Sequence, residues 1–297
     1  MTILDDAAFT ELLRLRAEAP EAVADRSARR LRRPLLVGDK RLLIVAVDHP
    51  ARSILGVGQD PWAMADRRRL LTHTIRALRR PGVDGVLASP DILEDLLLLG
   101  ELETKVALGS MNRGGLTGTV WELDDRFTGH DAATIERLGF EGGKMLLRID
   151  PTDPGTLATI ESCAAAVTDL ASRRLIAMVE PLPAVRDQDG MVRVTTDPDA
   201  LVRAVSVASA LGATSAYTWL KLPAAADPGR MLDATTLPVL LLGGDPGGDV
   251  EGLVRSWRRA MAFPQVRGLV AGRSLVFPAD GDVERWVDTA VEIVHGP

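Results

Sequence analysis

Two lysines lie where an amine could do covalent chemistry. Lys221 ends the apolar run "SAYTWLKLP", and Lys144 opens the run "GGKMLLRID". Of 35 basic residues all but four are arginines, the others being Lys40, Lys105, Lys144 and Lys221. Arginine stays charged, whereas a lysine amine can shed its proton and attack carbon. Desolvation disfavours a buried ammonium, and a second cation nearby acts in the same direction. Such an amine condenses with a ketone or aldehyde to an iminium, an electron sink that makes cleavage of a neighbouring carbon–carbon bond feasible. The proton transfers this needs suit carboxylates. Glu180 and Asp48 end apolar runs of their own, "RLIAMVE" and "LLIVAVDH". Plainer roles exist for each: Lys221 could simply extend into solvent, and the two acids could pair with Lys144 or Arg148. Lys144 could start its strand at the wrong end, act as the auxiliary cation beside Lys221, or be the nucleophile itself.

The elements that must position these groups follow a rhythm. After an Arg-rich, helical leader, strand-like runs alternate with helix-like ones, and eight β/α units can be counted in order. The strands are expected at "LLIVAVDH", "DGVLAS", "TKVALGS", "GGKMLLRID", "RLIAMVE", "TSAYTWLK", "TLPVLLLGG" and "VRGLVAGR". Asp60 with Pro61 is expected to start the first helix of the series, Ser89 with Pro90 the second, and Gly100 to end the latter. Continuous apolar strands separated by amphipathic helices indicate a parallel sheet covered on both faces, and eight units favour closure. The expectation is α/β, a single (β/α)8 TIM barrel at 41–297 with an N-terminal helical extension at 1–40. An open doubly wound sheet fits less well, because no G-x-G-x-x-G follows the first strand.

In such a barrel the C-terminal strand ends face the active site. That end would gather Asp48, His49, Lys144, Arg148, Asp150, Glu180 and Lys221. Alternation puts Ser215, Tyr217, Trp219 and Lys221 on one face, and Lys144, Leu146, Arg148 and Asp150 on another. The last two strands end in "GGDPGG" and "AGR". Gly243, Gly244 and Gly272 would let backbone N–H groups approach a phosphate, with Arg273 adding a charged fork; the same glycines would also serve tight turns. Arg148 and His49 join them as candidate substrate contacts. Of the other histidines His73 lies in a helix, His130 precedes one and His295 is near the terminus, so no metal site is expected. No cofactor is expected either.

Composition narrows the function classes. A net charge of −6 on 297 residues gives no bulk attraction to nucleic acid or to an anionic membrane. Cys163, the sole cysteine, reads as helix packing in a reducing compartment. The N-terminus has acidic residues where a secretory signal would be basic, and the Leu run at 95–100 is too short to span a bilayer. A cytoplasmic location is expected.

The segments "VAVDHPAR", "GGKMLLRID", "MVEPLP", "YTWLKLP", "LLLGGDP" and "GLVAGRSL" resemble the class I, Schiff-base aldolases of the deoxyribose-phosphate and tagatose-bisphosphate aldolase superfamily. The resemblance runs from about Leu42 onward and is nearest an actinobacterial branch associated with inositol-type sugar catabolism. It implies Lys221 as the Schiff-base lysine, Lys144 as the lysine beside it, and Glu180 and Asp48 as the acids. Gly272 and Arg273 would be the phosphate-binding turn. The implied partner is a small phosphorylated sugar, one candidate being a phosphorylated deoxy-keto acid that yields dihydroxyacetone phosphate and malonate semialdehyde. By analogy a homo-oligomer is implied. The pattern departs at Arg148 and at "DHP", which bears on substrate more than on reaction. Two other readings are a phosphosugar isomerase or epimerase using Glu180 and Asp48, and a noncatalytic phosphosugar-binding barrel.

Overall fold

A run such as Leu42–Ala46, buried at every position, has no solvent face and must lie in a sheet covered on both sides. The computed structural model describes residues 3–225, 227–244 and 249–296. Its strands are β1 (Leu42–Ala46), β2 (Gly85–Ala88), β3 (Val106–Ser110), β4 (Gly142–Ile149), β5 (Ile176–Arg186), β6 (Val192–Val194), β7 (Thr218–Leu222), β8 (Val239–Leu242) and β9 (Val266–Ala271). β1 pairs in parallel with both β2 and β9, and the parallel pairings through β3, β4, β5, β7 and β8 complete a closed eight-stranded barrel. With its flanking helices this is the expected single (β/α)8 barrel. β6 was not anticipated; it pairs antiparallel with the end of β5, outside the ring. At the closing seam Gly268 has φ +138°, and a Cβ there would meet the Leu42 carbonyl oxygen at 1.9 Å, so only glycine fits.

Period two divides each strand between two cores. Leu43, Val45 and Val47 pack outward beneath the helices. Leu42, Ile44 and Ala46 point inward with Leu87, Val106, Leu108, Met178, Trp219, Leu240 and Val270. Following the inward rows toward the strand ends, Asp48 comes after Ala46, Ser110 after Leu108, Glu180 after Met178 and Lys221 after Trp219. The apolar interior is thus topped by a polar layer. Leu35 and Leu36, just before β1, pack on the interior cluster. Ahead of them two helices, Asp6–Glu18 and Ala22–Arg29, are tied to the barrel flank. Arg16 meets Asp95 at 2.7 Å, and buried Arg30 donates to the Lys105 carbonyl at 2.8 Å.

Some element ends differ from expectation. The first βα helix is Arg67–Leu78, capped by Asp66, whose carboxylate accepts from Arg69 N. Asp60 instead closes a turn, accepting from Trp62 N at 2.9 Å. The Ser89 hydroxyl donates to Asp91 at 2.5 Å rather than capping Pro90–Leu98. β7 begins at Thr218, because the chain turns just before it and Thr218 N donates to the Ser215 carbonyl at 3.0 Å. Ser215 is therefore exposed and Tyr217 half-buried, leaving Trp219 as the aromatic residue on the inward row of Lys221.

Candidate active site

The polar layer brings together side chains from five strands, β1, β3, β4, β5 and β7, with Lys144 and Glu180 inside β4 and β5 rather than at their ends. The register sets Ser110 of β3 beside Lys144 of β4, and Leu146 beside Glu180 of β5. Glu180 accepts from both lysines: Oε1 lies 2.8 Å from Lys221 Nζ, and Oε2 pairs with Lys144 Nζ. Lys144 Nζ is also 3.6 Å from Asp48 Oδ2. Relative exposures are 5% for Lys221, 3% for Lys144, 7% for Glu180 and 3% for Asp48, so neither amine extends into solvent.

Burial and pairing set the charge states. Burial pushes the Lys144 amine down to about 8; Glu180 and Asp48 resist this, while the like charges of Lys221 and Arg113 add to it. Burial would raise Glu180, but the ammonium groups of Lys144 and Lys221 hold it down at about 2. Asp48 is likewise kept well below the usual carboxylate range against its burial, first by Arg113 and then by Lys144. Both acids are therefore ionised acceptors, and the Lys144 ammonium gives up its proton more readily than an ordinary lysine.

Two members of this layer were missed. Arg113 Nη2 pairs with Asp48 Oδ2, its Nη1 donates to the Asp48 carbonyl at 2.9 Å, and its Nε donates to Ser110 Oγ at 2.7 Å. Ser110 Oγ in turn donates to Asp48 Oδ2 at 3.0 Å. Ser110 ends the third expected strand, and that position was the available signal.

The glycine turns lie at the same end. His49 opens a short helical turn, His49–Arg52, and burial lowers its imidazole to about 3, so the ring is neutral. Its Nδ1 is buried without a partner among the described residues. A Cβ on Gly272 would lie 2.2 Å from the Ala46 carbonyl oxygen and 2.9 Å from His49 Cε1, so the turn after β9 packs directly on the end of β1. Arg273 follows in the short helix Arg273–Val276. Gly243 N donates to the Val270 carbonyl at 3.0 Å, which sets the β8 ending beside β9. The remainder of "GGDPGG", 245–248, lies outside the described residues.

Arg148 belongs to a neighbouring cluster. It pairs with Glu122 and donates to the carbonyls of Glu122 at 2.6 Å and Gly115 at 3.1 Å. Arg52 pairs with Asp125 at 2.5 Å and donates to the Gly115 carbonyl at 3.1 Å. Together the two arginines hold the loop after β3 onto the barrel mouth. Asp150 closes the turn after β4, accepting from Thr152 N at 2.9 Å. Cys163 is buried and its thiol is pushed up to about 12. A cavity of about 810 Å³ lies elsewhere, past Arg273, among Arg69, His73, Ser274, Phe277 and Trp286. No group of three or more His, Cys, Asp or Glu is disposed to hold a metal among the described residues. Nor, among those residues, is any helix long and apolar enough to cross a membrane.

Known proteins share this architecture. The crystal structure of Cgl0159 from Corynebacterium glutamicum is 45% identical in sequence over 99% of both chains, with a TM-score of 0.97. An archaeal fructose 1,6-bisphosphate aldolase matches at 18% identity and TM-score 0.63, over 93% of this chain and 100% of that one. A Schiff-base-forming fructose-1,6-bisphosphate aldolase matches at 19% identity and TM-score 0.64, over 92% and 100%. At such identity the last two likenesses are of fold: the chain has an aldolase-like barrel. No curated protein shows significant similarity to the sequence. A model of the Cgl0159-like family matches residues 40–291, and the chain belongs to that family.

Proposed function

We propose that the protein is a class I aldolase, making or breaking a carbon–carbon bond in a phosphorylated ketose or deoxy-keto sugar acid through an iminium on Lys221. The observation that carries this reading is one buried carboxylate, Glu180, shared between two buried amines. Lys221 is the better nucleophile on geometry. Among the described residues its ion pair is with Glu180 alone, whereas Lys144 sits between Glu180 and Asp48. When the Lys221 nitrogen leaves to attack a carbonyl, Lys144 still compensates Glu180. The converse move would also take a charge away from Asp48, leaving Arg113 as its ion-pair partner.

The steps follow from the charge states. The Lys221 ammonium passes a proton to Glu180, whose Oε1 lies 2.8 Å away, and the freed amine adds to the substrate carbonyl. The carbinolamine loses water by taking a proton from Lys144, which Glu180 then reprotonates. In the cleavage direction an ionised carboxylate, Glu180 or Asp48, accepts the proton of the hydroxyl on the far carbon. The carbon–carbon bond breaks, an aldehyde leaves, and the bonding pair moves into the iminium to give an enamine. Protonation at carbon and hydrolysis return the amine. Gly244, Gly272 and Arg273 would hold the substrate phosphate, with His49 offering its Nδ1 beside them; Gly243 has its N–H given to the Val270 carbonyl and would serve the turn. The fold shared with Schiff-base aldolases supports the same reaction type.

The test is reductive trapping. The protein is incubated with a panel of ketose phosphates, including fructose 1,6-bisphosphate and the deoxy-keto acid phosphate named above, then treated with borohydride and mapped by mass spectrometry. An adduct on Lys221 is expected with at least one member. An adduct confined to Lys144, or none from any member with folded protein, overturns the assignment.

A further inference from the structure

Arg113 is not one of the reacting amines, yet it grips one of the acids that flank them. Every side-chain contact described for the Asp48 carboxylate falls on one oxygen: Oδ2 takes Arg113 Nη2, Ser110 Oγ at 3.0 Å, and Lys144 Nζ at 3.6 Å. The last distance is beyond hydrogen-bond length. The guanidinium also reaches the Asp48 carbonyl at 2.9 Å through Nη1, so it forks across the side chain and backbone of a single residue. Its Nε is held by Ser110 Oγ at 2.7 Å. Most of its donors are therefore satisfied inside the protein, and Arg113 is 7% exposed. That is the arrangement of a side chain that fixes another, not of one kept open for substrate.

We propose that Arg113 is a positioning residue for the aldol reaction inferred above: by anchoring the Asp48 carboxylate it keeps that charge from closing onto Lys144, leaving Glu180 as the strong partner of Lys144 and the Lys144 proton free to move. The catalytic meaning rests on the aldolase reading; the contact competition does not. Among the described residues five charged or titratable groups face the Lys144 amine. Asp48 and His49 come from the end of β1, Arg113 from the loop after β3, Glu180 from β5 and Lys221 from β7. Removing Arg113 changes this set twice in one direction. A like charge disappears, and the carboxylate it held becomes free to approach the ammonium.

The scarcity of lysine makes the test direct. Substrate-free protein carrying 13C at lysine Cε gives four signals to titrate, assigned by single substitutions. Arg113→Gln is expected to raise the Lys144 midpoint by about one pH unit, a tenfold shift in the deprotonation equilibrium. Arg113→Lys keeps a charge but cannot fork across both oxygens of residue 48. It is expected to give a smaller rise, and it carries the test if the glutamine variant fails to fold. An unchanged Lys144 midpoint in whichever variant folds overturns the proposal. Borohydride trapping on the same samples separates the two ideas. A wild-type protein that traps nothing sinks the aldolase reading while the titration still decides on Arg113.

Discussion

Two buried charge clusters sit side by side at the mouth of this barrel, and they are built from different cations. One joins Arg52 and Arg148 to Asp125 and Glu122. The other joins Lys144 and Lys221 to Glu180, with Arg113 and Asp48 at its edge. In the first, each guanidinium divides its donors between a carboxylate and loop carbonyls, the fixed multi-donor fork at which arginine is suited to hold structure. In the second, the groups at the centre are amines, and one of them is pushed down to about 8. Where charge must hold a loop the chain uses arginine, and where the proposed aldolase chemistry needs a proton to move it uses lysine. Lys40 and Lys105 limit the rule. Lys40 is exposed, and Lys105 donates to the Val83 carbonyl at 2.6 Å, so rarity alone does not mark a reactive lysine.

The contrast can be broken most directly at Lys221. Lys221→Met should lower turnover on the trapped substrate by at least about 10³-fold and remove the borohydride adduct, with the fold retained by circular dichroism. A methionine variant at full rate would mean that the second cluster is only structural, or that Glu180 and Asp48 act as an isomerase pair. A middle-sized effect is expected at Arg148. Arg148→Met strands Glu122 and weakens the hold on Asp125, and should cost about 3 kcal/mol of stability in urea unfolding. The Lys144 titration midpoint should barely move. A large shift of that midpoint would show the two clusters to be one.

The smallest effect sharpens the comparison at another edge of the barrel. There His295 Nδ1 lies 2.8 Å from Asp39 and Nε2 lies 3.2 Å from Asp84. Chiefly through Asp84, its pKa is raised from 6.5 to about 9. A raised folded-state pKa gives stability that is fully present below about 6.5 and is lost as pH climbs through about 9. Unfolding free energies of wild type and His295→Gln, read in urea, should therefore differ at pH 6 and converge by pH 10, with a gap of no more than about 1 kcal/mol. A gap independent of pH would assign His295 to packing.

Much of the site was legible because its acids and amines end apolar runs. Asp48, Glu180 and Lys221 each continue an inward-facing row, and period two together with the barrel rule was enough to gather them. Ser110 also continues such a row, but a serine after "VALG" carries no charge to draw notice. Arg113 lies three residues farther on in a polar loop, one arginine among many, and only the folded path brings it to Asp48. Arg148 shows the opposite error of resolution. Its strand face was readable, but the loop that folds back to meet it at Gly115 and Glu122 leaves no trace in strand periodicity. The start of β7 was misplaced for a related reason: Tyr217 is apolar enough to extend the run, yet the turn at Ser215 precedes the strand.

The seam between β9 and β1, where Gly268 admits the Leu42 carbonyl, carries a consequence for synthesis. Asp48 emerges from the ribosome long before Lys221, and the last wall of the cylinder later still. Until that wall docks, Lys144 lacks the burial that pushes its amine down to about 8, so a nascent or partly unfolded chain carries it as an ordinary lysine, protonated almost throughout at neutral pH. The depressed amine is thus a property of the completed ring rather than of the local sequence.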